Sequence, residues 1–507
     1  MGRTIGKEWQ ALRRRAGMVS LMFAATIVLP APAAAEEWLR ADTPHLEVYS
    51  NAGRSAVEGF ARKIETYDAF LRVLLGVPDA PPGARLHVYL LASEADMKTL
   101  WPAGGFAGFY DASGDEPMLV VRYNRVRQAT TQGLTGSDAD DTAFHEYTHY
   151  FQQAHFPSSY PGWVIEGYAQ YLQTIRIDPD AIVVGHGART LTDRLKATWL
   201  PWDEVLRSTT GTLARDKWNA FYGQAWLLTH YLSSDPKRSA AFNRYLVSVG
   251  KGGDPVRSLT EALGTDLPTL NDELMRYYRA PLRVQRFAWT PPAGQSATVA
   301  SLQGGEAALR LLDARTRYFV AEADRPAFVE KVRAVAANHP QDRFAMLAAA
   351  RVDAKYGDAG RAVTTLAPLL ADGKRDVDAL AIRGRARMRQ AAAAGDAAAA
   401  APLWREARVD LRAAVNDRAN DAELLYRLAL ASRNEPSWPT RETIAMLAQA
   451  MALSPQSEAI RLTLGEALLK AGRGGDARLV LQSLLNAPHD TYGKTAATAL
   501  LAKYPGA

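Results

Sequence analysis

The sequence predicts an α+β domain, with a small mixed sheet and helices, followed by an all-α domain of helical repeats. Up to about residue 290, runs that alternate or stay apolar, as strands do, are interspersed with stretches of helical spacing. From about residue 306 the chain is rich in Ala and Leu, with turn residues at nearly regular intervals. The length of 507 residues leaves room for two to four domains.

The N-terminal 35 residues are predicted to be a secretory signal peptide. Basic residues between positions 7 and 15 precede an apolar run, Ala16–Leu29, and a small-residue segment, Pro30–Ala35. Cleavage is expected before Glu36. The alternative is an uncleaved membrane anchor, but the apolar run is short for a span. We therefore expect an exported protein, periplasmic or extracellular, with no stable membrane span after cleavage.

Net charge and the absence of cysteine limit what the protein can bind and how it can hold a metal ion. Residues 1–35 hold five Lys or Arg and one Glu, so their removal lowers the formal charge from +6 to +2. A charge this small gives no reason to expect nucleic-acid binding. The chain has no cysteine, so it forms no disulfide, and any metal ion must be held by nitrogen and oxygen ligands.

The first part of the α+β domain, residues 36–135, is predicted to contain most of the sheet. His45–Tyr49 and Arg85–Leu91 have strand patterns, and Ala56–Leu75 between them has helical spacing. Gly104–Tyr110 and Met118–Val121 are predicted to form a hairpin.

His145, Glu146 and His149 are the most informative residues of the chain. Two histidines four residues apart lie on one face of a helix, one turn apart, so both rings can reach one metal ion. The glutamate beside the first histidine can then deprotonate a bound water. The alternative is a helix that carries two unrelated histidines.

Glu166 is the candidate for a third metal ligand. A hydrolytic zinc site uses three protein ligands and keeps a fourth position open. The turn residues of Pro157–Gly162 predict a loop, and Glu166 is the one acidic residue on the apolar helix that follows. The alternative is an exposed helix glutamate.

Together, the His-Glu-x-x-His motif, the short loop and the Trp163-x-x-Glu166-Gly-x-Ala-x-Tyr171 segment resemble the gluzincin branch of zinc metallopeptidases. More narrowly, they are similar to the bacterial peptidase MA-like proteins. The resemblance covers about residues 38–290, and its motifs are specific over 142–171. It implies a zincin-like fold with one Zn²⁺ per chain. The implied ligands are His145, His149 and Glu166, with Glu146 as the general base.

The resemblance also implies two further features of the site. In the zincin fold an edge strand pairs with extended substrate, and we place this role on the Phe109–Tyr110 or the Met118–Val121 strand. A Tyr or His from a later helix donates a hydrogen bond to the oxyanion. Tyr222 and His230 are the candidates, and since two helical turns separate them, only one is expected to reach the metal. Tyr222 is preferred because its phenol donates while neutral. The alternative is that both belong to the core.

The C-terminal repeats resemble tetratricopeptide repeats. The clearest unit runs from Leu464 and Gly465 to Leu481, and weaker copies begin near Phe344, Ala379 and Leu424. Two interpretations remain open. The repeats form a concave surface for a protein or peptide partner, or they only buttress the catalytic domain.

The sequence therefore predicts an exported zinc-dependent metallopeptidase that acts on a peptide or protein substrate. One alternative is a non-catalytic repeat scaffold with a retained zincin domain, and another is a zinc hydrolase of a non-peptide amide. The predicted divisions are a signal peptide (1–35), a mixed-sheet part (36–135), a helical zinc-binding part (136–290), a linker or short strand-rich junction (291–305) and the repeats (306–507).

Overall fold

The computed structural model describes residues 37–505, apart from a set of short gaps. The gaps are residues 79–84, 106, 113–114, 124–128, 131–132, 135–138, 157–159, 188–193, 197, 210, 291–295 and 486–491. The predicted signal peptide lies outside the described residues, as do residues 157–159 of the predicted loop and 291–295 of the predicted linker.

Among the described residues, strands occur only between positions 39 and 301. They are β1 (Leu39–Asp42), β2 (Leu46–Ser50), β3 (Leu86–Leu91), β4 (Gly108–Asp111), β5 (Met118–Arg122), β6 (Ala129–Thr130), β7 (Gly133–Leu134), β8 (Arg176–Ile177), β9 (Ala181–Val184), β10 (Gln285–Ala288) and β11 (Thr298–Ser301).

Helices account for most of the remaining structure. Those of the first part are α1 (Arg54–Leu75), α2 (Glu94–Leu100), α3 (Ala139–His155), α4 (Gly162–Leu172), α5 (Trp202–Arg207), α6 (Trp218–Ser233), α7 (Pro236–Gly250), α8 (Pro255–Leu263) and α9 (Leu267–Arg279). Those of the second part are α10 (Gly304–Arg317), α11 (Arg325–Ala337), α12 (Arg343–Lys355), α13 (Ala359–Leu366), α14 (Val377–Ala393), α15 (Ala397–Asp417), α16 (Ala422–Ala431), α17 (Arg441–Leu453), α18 (Glu458–Lys470), α19 (Gly474–Leu485) and α20 (Tyr492–Ala502). Among the described helices, none is both long enough and apolar enough to cross a bilayer.

The main sheet has six strands in the order β11-β1-β2-β3-β5-β4. Strands β2, β3 and β5 run parallel, and the outer pairs are antiparallel. The predicted strands around residues 45–49 and 85–91 are confirmed, as are the helix between them and the hairpin of β4 with β5. A second, antiparallel sheet has the order β10-β9-β8.

Helices cover both faces of the main sheet. Side chains alternate between the faces along a strand, so neighbouring residues of one strand pack against different helices. On one face, Val48, Val88 and Leu119 pack with residues of α1 and α3. On the other face, Tyr49 and Val120 belong to a cluster that includes residues of α2 and α10. The sheet is therefore the middle layer between two helical layers.

The sequence predicts a linker or a short strand-rich junction over residues 291–305, and the described part of this segment contains regular structure. Residues 298–301 form β11, which pairs antiparallel with β1 and brings Leu39 opposite Ser301. Gly304, also within this range, begins α10, which covers one face of the sheet. By its contacts, the chain from Glu37 onward forms a single compact unit. Pro and Gly residues in this segment mark turns, and they carry no information on strand pairing.

From α11 to α20 the chain is a stack of helices, as predicted. Small residues allow neighbouring helices to approach: a Cβ at Gly465 would lie 2.7 Å from the Leu481 side chain, and one at Gly384 would lie 2.7 Å from Leu411. Gly465, in the clearest predicted repeat, is thus a point of close packing between helices. The Ala-rich insertion, residues 391–401, spans the end of α14 and the start of α15.

One largely buried acid joins the sheet to the stack. Asp115, in the β4–β5 turn, contacts Lys355 Nζ at 3.3 Å, Arg385 Nη1 at 2.7 Å and Arg427 Nη2 at 3.0 Å. We call these four residues the Asp115 cluster. Burial opposes the charge of Asp115, but the three cations hold the pKa of this carboxyl well below its usual range.

Candidate functional site: a His-His-Glu cluster on a cavity

The orientation of α3 is fixed on the side that faces the core. The hydroxyl of Tyr147 donates to Asp68 Oδ1 at 2.8 Å, and the Thr148 and Tyr67 hydroxyls lie 2.6 Å apart. All of these side chains are buried. Because successive residues of a helix point about 100° apart, His145, Glu146 and His149 face away from this contact. They line a cavity of about 1170 Å³.

The position of Glu166 depends on close contact between α4 and α6. A Cβ at Gly167 would lie 2.7 Å from the Ala225 carbonyl oxygen, and it would also meet the Thr229 hydroxyl. On the same helix, Trp163 Nε1 donates to the Tyr245 hydroxyl at 2.9 Å. The glycine that follows Glu166 therefore lets α4 approach α6, which sets where the carboxylate lies.

The structure brings His145, His149 and Glu166 together. The two Nε2 atoms are 3.1 Å apart, and each lies 3.7 Å from Glu166 Oε2. Ligand atoms at zinc-bond lengths in a tetrahedral site are about 3.3 Å apart, so these separations suit one Zn²⁺. The ligand types also suit zinc, since two imidazoles and one carboxylate form a common hydrolytic donor set.

The protonation state of His145 is compatible with metal binding. Burial, followed by the charge of His149, lowers the pKa of His145 to about 4. The ring is therefore neutral at pH 7, and a neutral imidazole is the form that binds a metal ion.

Glu146 lies beside this cluster and is held by the sheet. Its Oε2 accepts a hydrogen bond from the backbone N–H of Tyr110 at 2.9 Å. Burial raises the pKa of Glu146 to about 7, although His149 and the Tyr110 hydrogen bond act in the opposite direction. A carboxylate with a pKa near neutrality is suited to taking up and releasing a proton.

Tyr110 belongs to β4, which is the edge strand of the main sheet. Of the two strands proposed for pairing with substrate, only β4 has a free edge, since β5 lies between β3 and β4. The Tyr110 contact with Glu146 was not predicted, because a backbone donor leaves no signal in a side-chain pattern.

The two candidate oxyanion donors occupy different environments. Tyr222 lines the same cavity. Burial raises the pKa of its phenol, and the charges of Glu166 and Glu146 raise it further. The phenol is therefore neutral at pH 7 and can donate a hydrogen bond.

His230 lies in the core and not on the cavity. It is fully buried, with Nδ1 2.8 Å from the Tyr277 hydroxyl and Nε2 3.0 Å from the Gly185 carbonyl oxygen. Burial lowers the pKa of its ring. Both nitrogens are thus engaged away from Glu166, which leaves Tyr222 as the candidate donor on the cavity.

The far wall of the cavity comes from the repeats. It is formed by residues of the α17–α18 loop, α18 and α19, namely Pro455, Gln456, Glu458, Arg461, Ser483 and Leu484. This wall was not predicted, because its position depends on how the helical stack curves back towards α3.

Comparisons with known proteins identify only the repeats. A family model described as "Tetratricopeptide repeat" matches residues 440–504. No curated protein matches the chain. Among solved structures, the chain is similar to a thermophilic TPR protein from Thermus thermophilus. That match has 22% identity, covers 39% of this chain and 100% of that chain, and has a TM-score of 0.34, which is too low to establish a shared fold. The C-terminal part of the chain therefore contains tetratricopeptide repeats.

Proposed function

We propose that the protein is a zinc-dependent peptidase with a zincin-like catalytic part. The observation that carries the proposal is the convergence of the His145, His149 and Glu166 ligand atoms beside Glu146 on one cavity. Among the residues that the structure describes, no other group combines such a ligand set with an adjacent carboxylate of raised pKa.

In this proposal, His145, His149 and Glu166 hold one Zn²⁺. When bound, zinc acts as a Lewis acid that lowers the pKa of a water and polarises a carbonyl. Glu146 accepts a proton from the attacking water and delivers it to the leaving amine. Tyr222 donates a hydrogen bond to the carbonyl oxygen as negative charge develops on it.

The substrate is proposed to lie along β4 as an extended peptide. The edge of this strand faces α3, and the backbone N–H of Tyr110 on that edge already contacts Glu146. An extended chain added to this edge would place its carbonyl groups beside the base.

Glu146→Gln tests the proposal. Because Glu146 is not a proposed ligand, the variant is expected to keep one zinc per chain and to lose hydrolysis of a peptide library by a factor of about 10³ or more. Glu273→Gln is the matched control, since Glu273 accepts one hydrogen bond from Tyr231 and does not line the cavity. Unchanged cleavage by Glu146→Gln, or wild-type protein without zinc, would refute the proposal.

A second candidate is a protein-binding scaffold, and the tetratricopeptide match over residues 440–504 favours it. Such repeats commonly bind proteins. If binding is the only function, Glu146→Gln is expected to retain all biological activity. Cleavage of acylated amines but not of peptides would instead support the non-peptide amide hydrolase.

We also propose export to the periplasm or the exterior, based on the pattern of residues 1–35. The test is the N-terminal sequence of the protein recovered from its native cell. A mature chain that begins at Glu36 would support cleavage, and retention of Met1 would contradict it.

A further inference from the structure

Arg461 is a buried arginine on the repeat wall of the cavity. It is only 6% exposed. Its Nε donates to the Pro455 carbonyl oxygen at 2.7 Å, and Nη1 donates to the Val480 carbonyl oxygen at 3.2 Å. These carbonyls orient the guanidinium, but they are neutral and leave its charge uncompensated.

The other buried arginines in the described chain differ from Arg461 in this respect. Arg310 pairs with Glu306, and Arg351 pairs with Asp313. No carboxylate among the described residues forms an ion pair with Arg461. Consistent with this, burial lowers the pKa of the Arg461 guanidinium. A buried charge without an internal partner is unfavourable unless something else supplies the counter-charge.

The nearest acidic residue along the helix does not serve as that partner. Glu458 is three residues before Arg461 on α18, and its Oε2 accepts a hydrogen bond from the backbone N–H of Gly493 at 3.1 Å. The carboxylate is thus engaged with α20. The Nη2 group of Arg461 makes no hydrogen bond to any described residue.

Two further polar atoms on this wall lack partners. Gln456 Oε1 and Ser483 Oγ are buried, and neither forms a hydrogen bond within the part of the chain that the structure describes. Both residues line the same cavity as Arg461 and the His-His-Glu cluster. Buried polar atoms are nearly always paired with protein groups or water, so unpaired ones on a cavity wall are available to a ligand.

We propose that Arg461, Gln456 and Ser483 form a subsite for a carboxylate group of the substrate. The proposal rests on the proposed peptidase function, because it concerns which peptides enter the cavity. A guanidinium presents two parallel N–H donors that match a carboxylate. Ser483 can donate a further hydrogen bond to the carboxylate, and Gln456 Oε1 can accept one from a peptide N–H. The carboxylate is either a C-terminal carboxyl or an acidic side chain.

Binding, measured apart from cleavage, tests this subsite. Zinc-loaded Glu146→Gln protein is offered three peptide libraries: one with free C-termini, one with amidated C-termini, and one amidated with Asp and Glu replaced by Asn and Gln. We expect the library that lacks every carboxylate to be retained least. Loss of retention on C-terminal amidation alone identifies the terminal carboxyl, and loss only in the third library identifies acidic side chains.

Arg461→Met in the same background then removes the charge while keeping an aliphatic side chain. We expect the Kd of the retained peptides to rise about tenfold to a hundredfold. In Arg461→Lys the Kd should rise less, because the positive charge is kept. Arg389→Met is the matched control, because Arg389 also donates to two backbone carbonyls but does not line the cavity.

Two outcomes would overturn the subsite. Equal retention of all three libraries would overturn it without any Arg461 variant. An unchanged preference for carboxylates in Arg461→Met, with the fold intact by circular dichroism, is the other. If the libraries are discriminated but wild-type protein cuts none of the retained peptides, the peptidase proposal fails while the subsite stands.

Discussion

The cavity and the Asp115 cluster both bury charged side chains, but they compensate the charge differently. Asp115 is surrounded by three cations of the same chain. In the cavity, Arg461 lacks an acidic partner among the described residues, and two histidines and a glutamate lie close enough together to hold a metal ion. In our proposal, charge that is compensated within the chain stabilises the fold, whereas charge left without an internal partner is compensated by a ligand.

The largest effect is expected on the free energy of unfolding, in the Asp115 cluster. Asp115→Asn leaves Lys355 and Arg385 without an anionic partner and Arg427 with Glu423 alone, and breaking such a group costs about 3 kcal/mol or more. Urea unfolding measures the loss. The control is Asp180→Asn, since Asp180 is largely exposed and pairs with Arg286, where less than about 1 kcal/mol is expected. Equal losses in the two variants would show that the Asp115 cluster contributes no more than a surface pair.

The next effect concerns the cavity. Tyr222→Phe removes one hydroxyl, and loss of an oxyanion donor lowers kcat about a hundredfold. Zinc content and stability should stay almost unchanged. Tyr231→Phe is the control on the same helix, since its hydroxyl bonds to Glu273. A kcat that falls equally in both variants, or in neither, would exclude Tyr222 as the donor.

A smaller effect is expected at the close contact between α4 and α6, which positions Glu166. Gly167→Ala introduces a Cβ against Ala225 and Thr229, which should destabilise the protein by about 1–3 kcal/mol and weaken zinc binding by displacing Glu166. In contrast, a Cβ at Gly59 of α1 meets no atom within 4 Å, so Gly59→Ala should be neutral or stabilising. Zinc titration and thermal unfolding distinguish the two variants. Unchanged zinc affinity in Gly167→Ala would show that the contact of Gly167 with α6 does not position Glu166.

The smallest effect concerns a second compensated group. His45 Nδ1 lies 2.9 Å from Glu65 Oε2. Burial alone would lower the pKa of His45, but the Glu65 hydrogen bond and the Asp68 charge raise it. Burial alone would raise the pKa of Glu65, but its hydrogen bonds to His45 and Thr43 lower it.

The two shifts fix the direction of the pH dependence. The raised pKa of His45 stabilises the fold fully below its unfolded value of about 6.5, and this contribution is lost as pH rises through the folded value. The lowered pKa of Glu65 contributes above about 4.3 and is lost on acidification. The free energy of unfolding of wild type relative to His45→Asn should therefore fall by on the order of 1 kcal/mol or less between pH 6 and 9. A difference that grows over this range would contradict the assignment.

Local patterns were sufficient for the elements that carry the cluster. Helical spacing places His145 and His149 on one face whatever surrounds them, and α1, β2 and β3 follow from their own periodicity. Long-range contacts could not be predicted in this way. The four residues of β1 are too few for a pattern, and β11 is defined only by pairing with β1. Arg461 resembles any arginine of a repeat helix until the stack brings it to the cavity.

The pairing of β1 with β11 has a consequence for the order of assembly. Leu39 lies opposite Ser301, so β11 joins the sheet only when segments at opposite ends of the α+β part find each other. Closure over so long a loop is entropically unfavourable and slow. A chain that stops at residue 290 would leave the outer edge of β1 without a neighbour, and open strand edges promote association between molecules. The segment that joins the sheet to the repeats is thus what covers the outer edge of β1.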